Sequence, residues 1–435
     1  MSDPISSGPI SSDTIFALSS GAPPAAIAIV RVSGPQARDA LVALTGSLPA
    51  PRHARYRVLR DGAGAVLDQA LVLWFPGPAT ATGEDLAEFH LHGGRAVVAA
   101  VETELARLPK LRRATPGEFT RRAFANGQID LAEAEGLADL LSAETELQRR
   151  SALAMAGGAF SRQVEQWRDR VLAASASVEA VLDFGDEDDV ADLPTDFHLR
   201  LSELREGLGE WLSRPRAEAL REGYRVVLAG PPNAGKSTLF NALVEDEAAI
   251  TSPLAGTTRD VLTRAVAIGG VPFLFGDTAG LRDETGDVIE AIGIARARDA
   301  LDRADLVLWL GPEGEGPDGA WEIAPQADVF HVEQKDDPRH RVSAVTGEGV
   351  DALRRDLVET ARDTMPRPGE AALNARQHAL VAEAERAIAA AGRERDPLLV
   401  AEALRLARVA FDALIGRATT EDMLDALFGR FCIGK

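Results

Sequence analysis

Short apolar runs alternate with turn-forming residues over the first quarter of the chain. Residues 26–32, 70–75 and 88–91 are such runs, and Gly34-Pro35 and Pro76-Gly77-Pro78 break the pattern between them. Short apolar segments bounded by Gly and Pro are typical of strands joined by turns. Residues 13–113 therefore predict a small α/β or α+β domain.

Helical spacing replaces this pattern over residues 119–212. Apolar residues recur three and four positions apart, as at Leu131, Ala134, Leu137 and Leu141. That spacing places side chains on one face of a helix, so the stretch predicts helices. The acidic run at residues 183–192 predicts a solvated loop.

Strand and helix signals alternate again over residues 224–362, which predicts an open sheet with helices on both faces. Pro366-Arg367-Pro368-Gly369 predicts a linker, and residues 371–427 are again helical, with breaks expected at Pro397 and Gly416. Each helical flank alone is too short for a core. We therefore expect an α/β domain inserted into a helical domain, with segments at residues 1–118, 119–215, 216–365 and 366–435.

Composition narrows the class of protein. Hydrophobic residues make up 46% and charged residues 26% of the 435 positions, which excludes a mostly disordered, collagenous or membrane-embedded chain. The formal charge of −20 repels phosphate backbones, so we expect any RNA to be held mainly by another protein. Cys432 is the single cysteine, which excludes an internal disulfide. The polar start lacks the features of a signal peptide and predicts a cytoplasmic protein.

Candidate chemistry begins at Gly230-Pro231-Pro232-Asn233-Ala234-Gly235-Lys236-Ser237, which matches the phosphate-loop pattern G-x-x-x-x-G-K-[ST]. A predicted strand at residues 225–229 precedes it and a predicted helix at residues 238–244 follows it. In that context backbone N–H groups curl around a phosphate, Lys236 contacts the β- and γ-phosphates, and Ser237 offers a hydroxyl to Mg²⁺. The alternative is a glycine-rich turn without a ligand.

Two further elements fit the same nucleotide site. Asp277-Thr278-Ala279-Gly280 follows the apolar residues 272–275 and matches D-x-x-G, in which the Asp acts on Mg²⁺ through its shell and the Gly N–H senses the γ-phosphate. Between it and the phosphate loop lies Gly256-Thr257-Thr258-Arg259-Asp260, where Thr258 can complete the Mg²⁺ shell while the γ-phosphate is present.

Leu281 stands where small signalling GTPases often carry a Gln that orients the attacking water. A leucine cannot hydrogen-bond water, so hydrolysis requires another polar group or a partner. The candidates are the acidic residues Asp283, Glu284, Asp287 and Glu290, and the alternative is that most of them form a solvated face.

Gln334-Lys335-Asp336-Asp337 is the candidate for guanine selection. Asp337 stands where the carboxylate of Asn-Lys-x-Asp accepts hydrogen bonds from the guanine amino group and ring N–H, although Gln334 replaces the usual Asn or Thr. Ser343-Ala344 fits the loop that backs the base. The alternative interpretation is a charged surface turn, and an ATPase would require Asp337 to be incidental.

Together these motifs resemble those of the MnmE (TrmE) family of tRNA modification GTPases. The resemblance rests on residues 233–237, 256–260 and 277–282, and it extends to both ends of the chain. The matching outer motifs are Gly83-Glu84-Asp85, His92-Gly93-Gly94, Pro116-Gly117-Glu118-Phe119-Thr120-Arg121-Arg122-Ala123-Phe124, Asp130-Leu131, Glu133-Ala134-Glu135 and Cys432-Ile433-Gly434-Lys435. The implied fold is multidomain α/β and α. It has an N-terminal folate-binding-like α/β domain, a helical domain from the central and C-terminal segments, and a Ras-like G domain inserted into the helical domain.

The resemblance implies a K⁺-dependent GTPase. It places K⁺ ligands at Asn233, Ser252, Thr257 and the backbone carbonyl of Leu254, and it implies that Glu290 orients the attacking water. The remaining residues of the implied nucleotide site are Ala234, Gly235, Thr238, Pro253, Ala255 and Gly256. A cation between the phosphates would neutralise charge that develops during transfer.

The resemblance also implies a site for a tetrahydrofolate, in the 5-formyl or 5,10-methylene form, at Arg31, Glu88, Gln128 and Lys435. A glutamate can accept hydrogen bonds from the pterin amino group and ring N–H, while Arg or Lys suits the anionic tail. Gln128 stands where the family is expected to carry Lys. Cys432 is either catalytic or structural, and His90 and His92 are expected to bind no transition metal.

The implied activity is GTP-dependent addition of an aminomethyl or carboxymethylaminomethyl group to C5 of the wobble uridine of certain tRNAs. The implied partners are a second copy of the chain, joined through the N-terminal domain, and an FAD-dependent MnmG (GidA)-type protein. That protein would form a heterotetramer or larger complex and contact most of the tRNA. The alternative is a GTP-dependent assembly switch, which would have no need of Arg31, Glu88 or the Cys-x-Gly-Lys terminus.

Overall fold

The computed structural model describes residues 13–184, 193–244, 248–249, 262–277, 300–325, 335–418 and 420–434. The described residues form two compact units, one within residues 1–138 and 412–435 and the other within residues 139–411. Residues 119–138 and 412–435, which we expected in the helical domain, therefore lie in the first unit. They do so because their helices share buried apolar residues with one another and with the N-terminal sheet.

A six-stranded sheet forms the centre of the described part of the first unit. Its strands are β1 (Thr14–Leu18), β2 (Ile27–Ser33), β3 (Arg55–Arg60), β4 (Val66–Phe75), β5 (Leu86–His92) and β6 (Leu111–Arg113). Their order is β3-β4-β5-β2-β1-β6, and neighbours are antiparallel except for the parallel pair β1 and β6. The three strands predicted from apolar runs are confirmed, with shifted ends.

Two helices, α1 (Ala37–Thr45) and α2 (Arg95–Arg107), cover one face of this sheet. Side chains from alternate positions of the strands, including Phe16, Val30 and Phe89, are fully buried beneath them. Alternation along a strand sends the intervening side chains to the opposite face. The first face is therefore the apolar core of the unit.

The opposite face is covered only at β1 by the apolar contacts of the described residues. There Phe119 of α3 (Glu118–Ala125) packs against Ile15 and Ala17. Farther along this face, β2 and β5 present the half-buried Arg31, Glu88 and His90. This second face is consequently where polar side chains of the sheet meet.

The C-terminal helix Glu421–Phe428 packs with α3 and with α4 (Leu131–Ser142). Their shared cluster includes Leu131, Ala134, Leu424, Phe428 and Phe431. Asp130 and Glu133 hydrogen-bond to each other's backbone N–H at 2.8 Å, which caps the start of α4. The Asp130-Leu131 and Glu133-Ala134-Glu135 motifs therefore begin a helix.

The second unit contains a seven-stranded sheet within its described residues. Its strands are β7 (Tyr224–Ala229), β8 (Ala248–Ala249), β9 (Leu262–Ile268), β10 (Val271–Asp277), β11 (Leu306–Trp309), β12 (Trp321–Ala324) and β13 (His340–Arg341). Their order is β13-β12-β11-β7-β10-β9-β8, parallel from β13 to β10 and antiparallel from β10 to β8. This is the open α/β sheet that the sequence predicts.

Helices on both sides of this sheet in sequence share one core. The described helices of the unit are α5 (Glu146–Ala156), α6 (Ala159–Phe184), α7 (Phe197–Leu212), α8 (Ala217–Glu222), α9 (Lys236–Val244), α10 (Val350–Thr364), α11 (Ala375–Ala391) and α12 (Pro397–Leu414). Trp167 of α6 lies 5.9 Å, between ring centroids, from both Trp211 of α7 and Phe411 of α12. Because α6 and α7 precede the sheet and α12 follows it, the predicted insertion of the α/β segment into helices is confirmed.

Candidate functional sites

The phosphate loop follows β7 directly and leads into α9. Gly230 has a φ of 145° and Asn233 a φ of 63°, both in the region that favours glycine. Asn enters this region more readily than other side chains because its short amide can hydrogen-bond locally. A Cβ on Gly230 would lie 2.9 Å from the backbone N of Gly311, so no larger residue fits there.

Lys236 is only 6% exposed although it carries a charge. Its Nζ donates to the carbonyl oxygens of Gly230 and Pro231, at 3.0 and 2.7 Å. Ser237 and Thr238 are exposed in the first turn of α9, while Ala234 packs against the core of the sheet. The ammonium group and the positive end of the helix dipole give the loop the charge that a phosphate requires.

Asp277 is the last residue of β10, and its Cα partner in the neighbouring β7 is Leu228. The two strands are parallel, so the backbone of Asp277 lies at the sheet edge that carries the phosphate loop. The structure thus brings the phosphate loop and the start of the D-x-x-G element together. The other predicted residues of this site lie outside the described residues: Ser252, Pro253, Leu254, Ala255, Gly256, Thr257, Thr258, Thr278, Ala279, Gly280, Glu290 and Gln334.

Asp337 lies on the amino-terminal side of β13, which begins at His340 and runs parallel to β12. Ligands of open parallel sheets bind outside the carboxyl ends of the strands, which is the opposite edge. Ser343 and Ala344 do follow the carboxyl end of β13, and the fully buried Ser343 Oγ accepts from the Thr346 N–H at 3.1 Å. The register therefore favours the alternative for Asp337, a charged surface turn.

Contacts of the turn itself agree with that interpretation. Lys335 is 7% exposed, and its Nζ forms an ion pair with Glu322. The Glu313 carboxylate accepts the backbone N–H groups of Asp337 and Asp336, at 2.9 and 2.6 Å, and these bonds lower the pKa of Glu313. Lys335 is consequently engaged in holding the turn together.

The residues directly after β12 were missed by sequence reasoning. β12 ends at Ala324 beside β11, so its carboxyl end lies at the same edge as the phosphate loop. The chain continues as Pro325-Gln326-Ala327-Asp328, with an Asp in the fourth position as in Asn-Lys-x-Asp, and residues 326–334 lie outside the described residues. The short apolar stretch that forms β12 was the signal that could have identified this position.

In the first unit, Arg31 of β2 and Glu88 of β5 are direct cross-strand partners. Arg31 Nε and Nη2 both donate to Glu88 Oε1, at 3.1 and 2.9 Å, and His90 Nε2 lies 3.1 Å from Oε2. The hydrogen bond from His90 and the pairing with Arg31 outweigh burial and lower the pKa of Glu88. Glu88 is therefore held as a carboxylate between two donors.

The described part of the C-terminal tail reaches the same sheet. Gly434 has a φ of 93°, and a Cβ on it would lie 2.0 Å from the carbonyl oxygen of Leu18 at the end of β1. Ala17, the residue before Leu18, is the cross-strand partner of Arg31. The structure therefore brings the tail close to the strand that bears Arg31, while Lys435 lies outside the described residues.

Two other predicted residues of the first unit are placed at its surface. Cys432 is exposed, and its carbonyl oxygen accepts from the Gly117 N–H at 3.5 Å. Gln128 is also exposed, and a Cβ on Gly83 would lie 3.3 Å from its Nε2. Gln128 is thus beside the loop that precedes β5.

Arg122 forms an ion-pair network that sequence reasoning missed. Its side chain is 8% exposed, and its guanidinium pairs with Asp13 at 2.8 Å, Glu84 at 3.1 Å and Glu118 at 3.2 Å. Glu84 Oε2 also accepts from Ser33 Oγ at 2.7 Å. Two of the family motifs, at residues 83–85 and 116–124, are therefore joined by a buried arginine. Spacing along the chain carries no signal for such contacts, because Glu84 is 38 residues from Arg122.

Metal and membrane features were sought in the same described ranges. No group of three or more His, Cys, Asp and Glu side chains is arranged there to hold a metal ion. His92 instead contacts Asp68, with 2.7 Å between Nδ1 and Oδ1. No described helix combines the length and apolar character needed to cross a membrane.

Two family models match most of the chain. The model for the GTP-binding protein TrmE N-terminus matches residues 14–128, and the model for the MnmE helical domain matches residues 131–432. The tRNA modification GTPase MnmE of Erythrobacter litoralis is 66% identical over 97% of this chain and 100% of its own. The chain belongs to the MnmE family of tRNA modification GTPases. This MnmE-family chain is also 63% identical to the MnmE of Novosphingobium aromaticivorans, over 97% of its length and 100% of the relative's.

Solved structures with some similarity to the MnmE-family chain are G domains. The G domain of the T. maritima FeoB iron transporter is 26% identical, covers 32% of this chain and 98% of its own, and has a TM-score of 0.23. An Era variant of Aquifex aeolicus bound to GDP and AlF4⁻ is 25% identical, covers 40% of this chain and 69% of its own, and has a TM-score of 0.23. Scores of that size do not bear on the sites described above.

Proposed function

We propose that this MnmE-family GTPase, which acts in tRNA modification, hydrolyses GTP in a K⁺-dependent manner and couples hydrolysis to modification at C5 of the wobble uridine. The one-carbon donor is a tetrahydrofolate, and an FAD-dependent protein of the MnmG type is the second subunit. The phosphate loop at the carboxyl end of β7 carries this proposal, because it joins a buried lysine, a helix N-terminus and Asn233 in one turn.

The donor groups of the described site fit Mg²⁺. Ser237 offers an exposed hydroxyl and Asp277 ends the adjacent strand with a carboxylate, and Mg²⁺ prefers such oxygen ligands. When bound, Mg²⁺ neutralises charge on the phosphate oxygens. Ser237 and Asp277, through the metal's water shell, would hold it beside the phosphate loop.

The exposed amide of Asn233 fits K⁺, because a neutral oxygen suits a large monovalent ion. The other K⁺ ligands of the proposal are Ser252, Leu254 and Thr257, and Glu290 orients the attacking water. These four assignments follow from family membership alone.

For guanine selection we infer a different residue from the one that the motif search favoured. Asp328, four residues after the end of β12, is the residue whose carboxylate binds the guanine amino group and ring N–H. The amino-terminal position of Asp337 and the ion pair of Lys335 support this reassignment.

The proposed assembly assigns most tRNA contact to the partner, because a chain of net charge −20 repels phosphate backbones. Two copies of the chain join through the N-terminal unit. The MnmG-type protein, with its FAD, completes a heterotetramer or larger complex.

The first experiment measures GTP hydrolysis by the purified chain in matched K⁺ and Na⁺ buffers. We expect strong stimulation by K⁺, its loss in Asn233→Ala, and loss of hydrolysis in Glu290→Ala. Glu359→Ala, at an exposed position of α10 with no described hydrogen bond, is the matched control and should behave as wild type. Equal rates in the two salts would refute the K⁺ site. Absence of folate binding would instead favour a GTP-dependent assembly switch.

A further inference from the structure

The hydrogen-bond capacity of Glu88 is largely used before any ligand arrives. A carboxylate offers about four acceptor positions, two on each oxygen. Arg31 Nε and Nη2 occupy both positions of Oε1, and His90 Nε2 occupies one position of Oε2. One acceptor position, on Oε2, is left.

A pterin head requires more than that single position. Its 2-amino group and adjacent ring N–H point in the same direction, so a carboxylate binds them with one hydrogen bond to each oxygen. Oε2 can accept one of them without losing His90. Oε1 can accept the other only if at least one Arg31 donor leaves.

We propose that the pterin head displaces Arg31 from Glu88, and that the released guanidinium then binds the anionic glutamyl tail of the same ligand. This inference rests on the folate site proposed above and specifies how that site opens. His90 remains on Oε2 throughout, so Glu88 keeps one donor that fixes its orientation.

Arg31 is suited to this exchange by its position. Its side chain is 27% exposed, against 15% for Glu88, so the guanidinium has a route towards solvent. A long side chain on a strand can also move its charged end while its backbone pairing stays intact. Because the exchange breaks one charge pair, the head alone should bind weakly, and the tail carboxylates should restore the lost interaction.

The test compares two probes by calorimetric titration of the full chain. They are 6-methyltetrahydropterin, which has the head alone, and 5-formyltetrahydrofolate, which has head and tail. With Arg31→Ala, we expect the affinity for the head to rise by about three- to tenfold and the preference for the intact folate over the head to fall by about tenfold or more. Glu88→Gln should weaken both probes by about tenfold or more, since it removes the paired acceptors.

Arg55→Ala is the matched control, an exposed arginine on β3 that makes no hydrogen bond with the described residues, and both affinities should stay as in wild type. Arg31→Gln serves as a second variant if thermal denaturation shows that Arg31→Ala is unfolded. Equal weakening of both probes by either Arg31 variant would overturn the exchange, because Arg31 would then act only by holding Glu88. Failure of wild type to bind either probe would overturn the folate site and the exchange together.

Discussion

Replacing Arg122 with Met should destabilise the first unit strongly. The guanidinium is the one cation within ion-pair distance of Glu84 among the described residues, and the two side chains are 8% and 10% exposed. Asp13 and Glu118 keep a second partner in Arg112, but Glu84 keeps only a hydroxyl donor, Ser33. Removing one partner of a buried pair typically costs about 3–5 kcal/mol. We expect the lower end of that range, about 3 kcal/mol, because the other two carboxylates stay paired.

Hydrogen exchange measured by mass spectrometry reports this loss within the intact chain. A loss of about 3 kcal/mol corresponds to exchange about a hundredfold faster for the slowest amides of β1, β2 and β5. Amides of β7 and β10, in the other unit, should be unaffected. Arg113→Met is the matched control, since Arg113 is 64% exposed in its pair with Glu102, and such pairs contribute about 0–1 kcal/mol.

A second substitution separates loss of charge pairing from loss of packing. Glu84→Gln added to Arg122→Met should recover part of the stability, because it removes the buried carboxylate that has no cation. Acceleration below about tenfold in Arg122→Met would refute the reasoning. Equal acceleration in both units would also refute it, since the network lies within the first unit.

Three other measurements test single features of the structure. Burial raises the pKa of Glu118 but hydrogen bonds, led by that of Arg112, lower it to about 2, so its stabilisation is present above its unfolded value of 4.5 and lost as the pH falls towards 2. Glu118→Gln should flatten the acid limb of thermal denaturation, and an unchanged limb would contradict this. Gly434→Ala should displace the tail, because its Cβ would lie 2.0 Å from a carbonyl oxygen of β1. Carboxypeptidase should then release the terminal residues faster at a Tm within about 2 °C of wild type, and an unchanged rate would argue against docking of the tail. Asp328→Asn should shift hydrolysis from GTP towards XTP and Asp337→Asn should not, since an amide donates where the carboxylate accepts; the reverse result would restore the first assignment.

Local sequence patterns determined much of the second unit. The phosphate loop, the strand before it and the helix after it form one contiguous segment, so periodicity and the motif could identify all three. The same holds for α12, which starts at Pro397, and for the break at Gly416, which has a φ of 86°. These features depend on backbone preferences and on neighbours a few residues away.

The sequence by itself determined the class of fold, the phosphate loop and, through its motifs, the MnmE family. Only the tertiary structure decided which side chains meet. Pairing of Arg31 with Glu88 depends on the register of β2 against β5, and the network of Arg122 joins residues up to 109 positions apart. The edge of the sheet on which Asp337 lies depends on the direction of β13, not on the motif around it. Contacts of this kind arise from packing across the chain, and spacing along the chain carries no record of them.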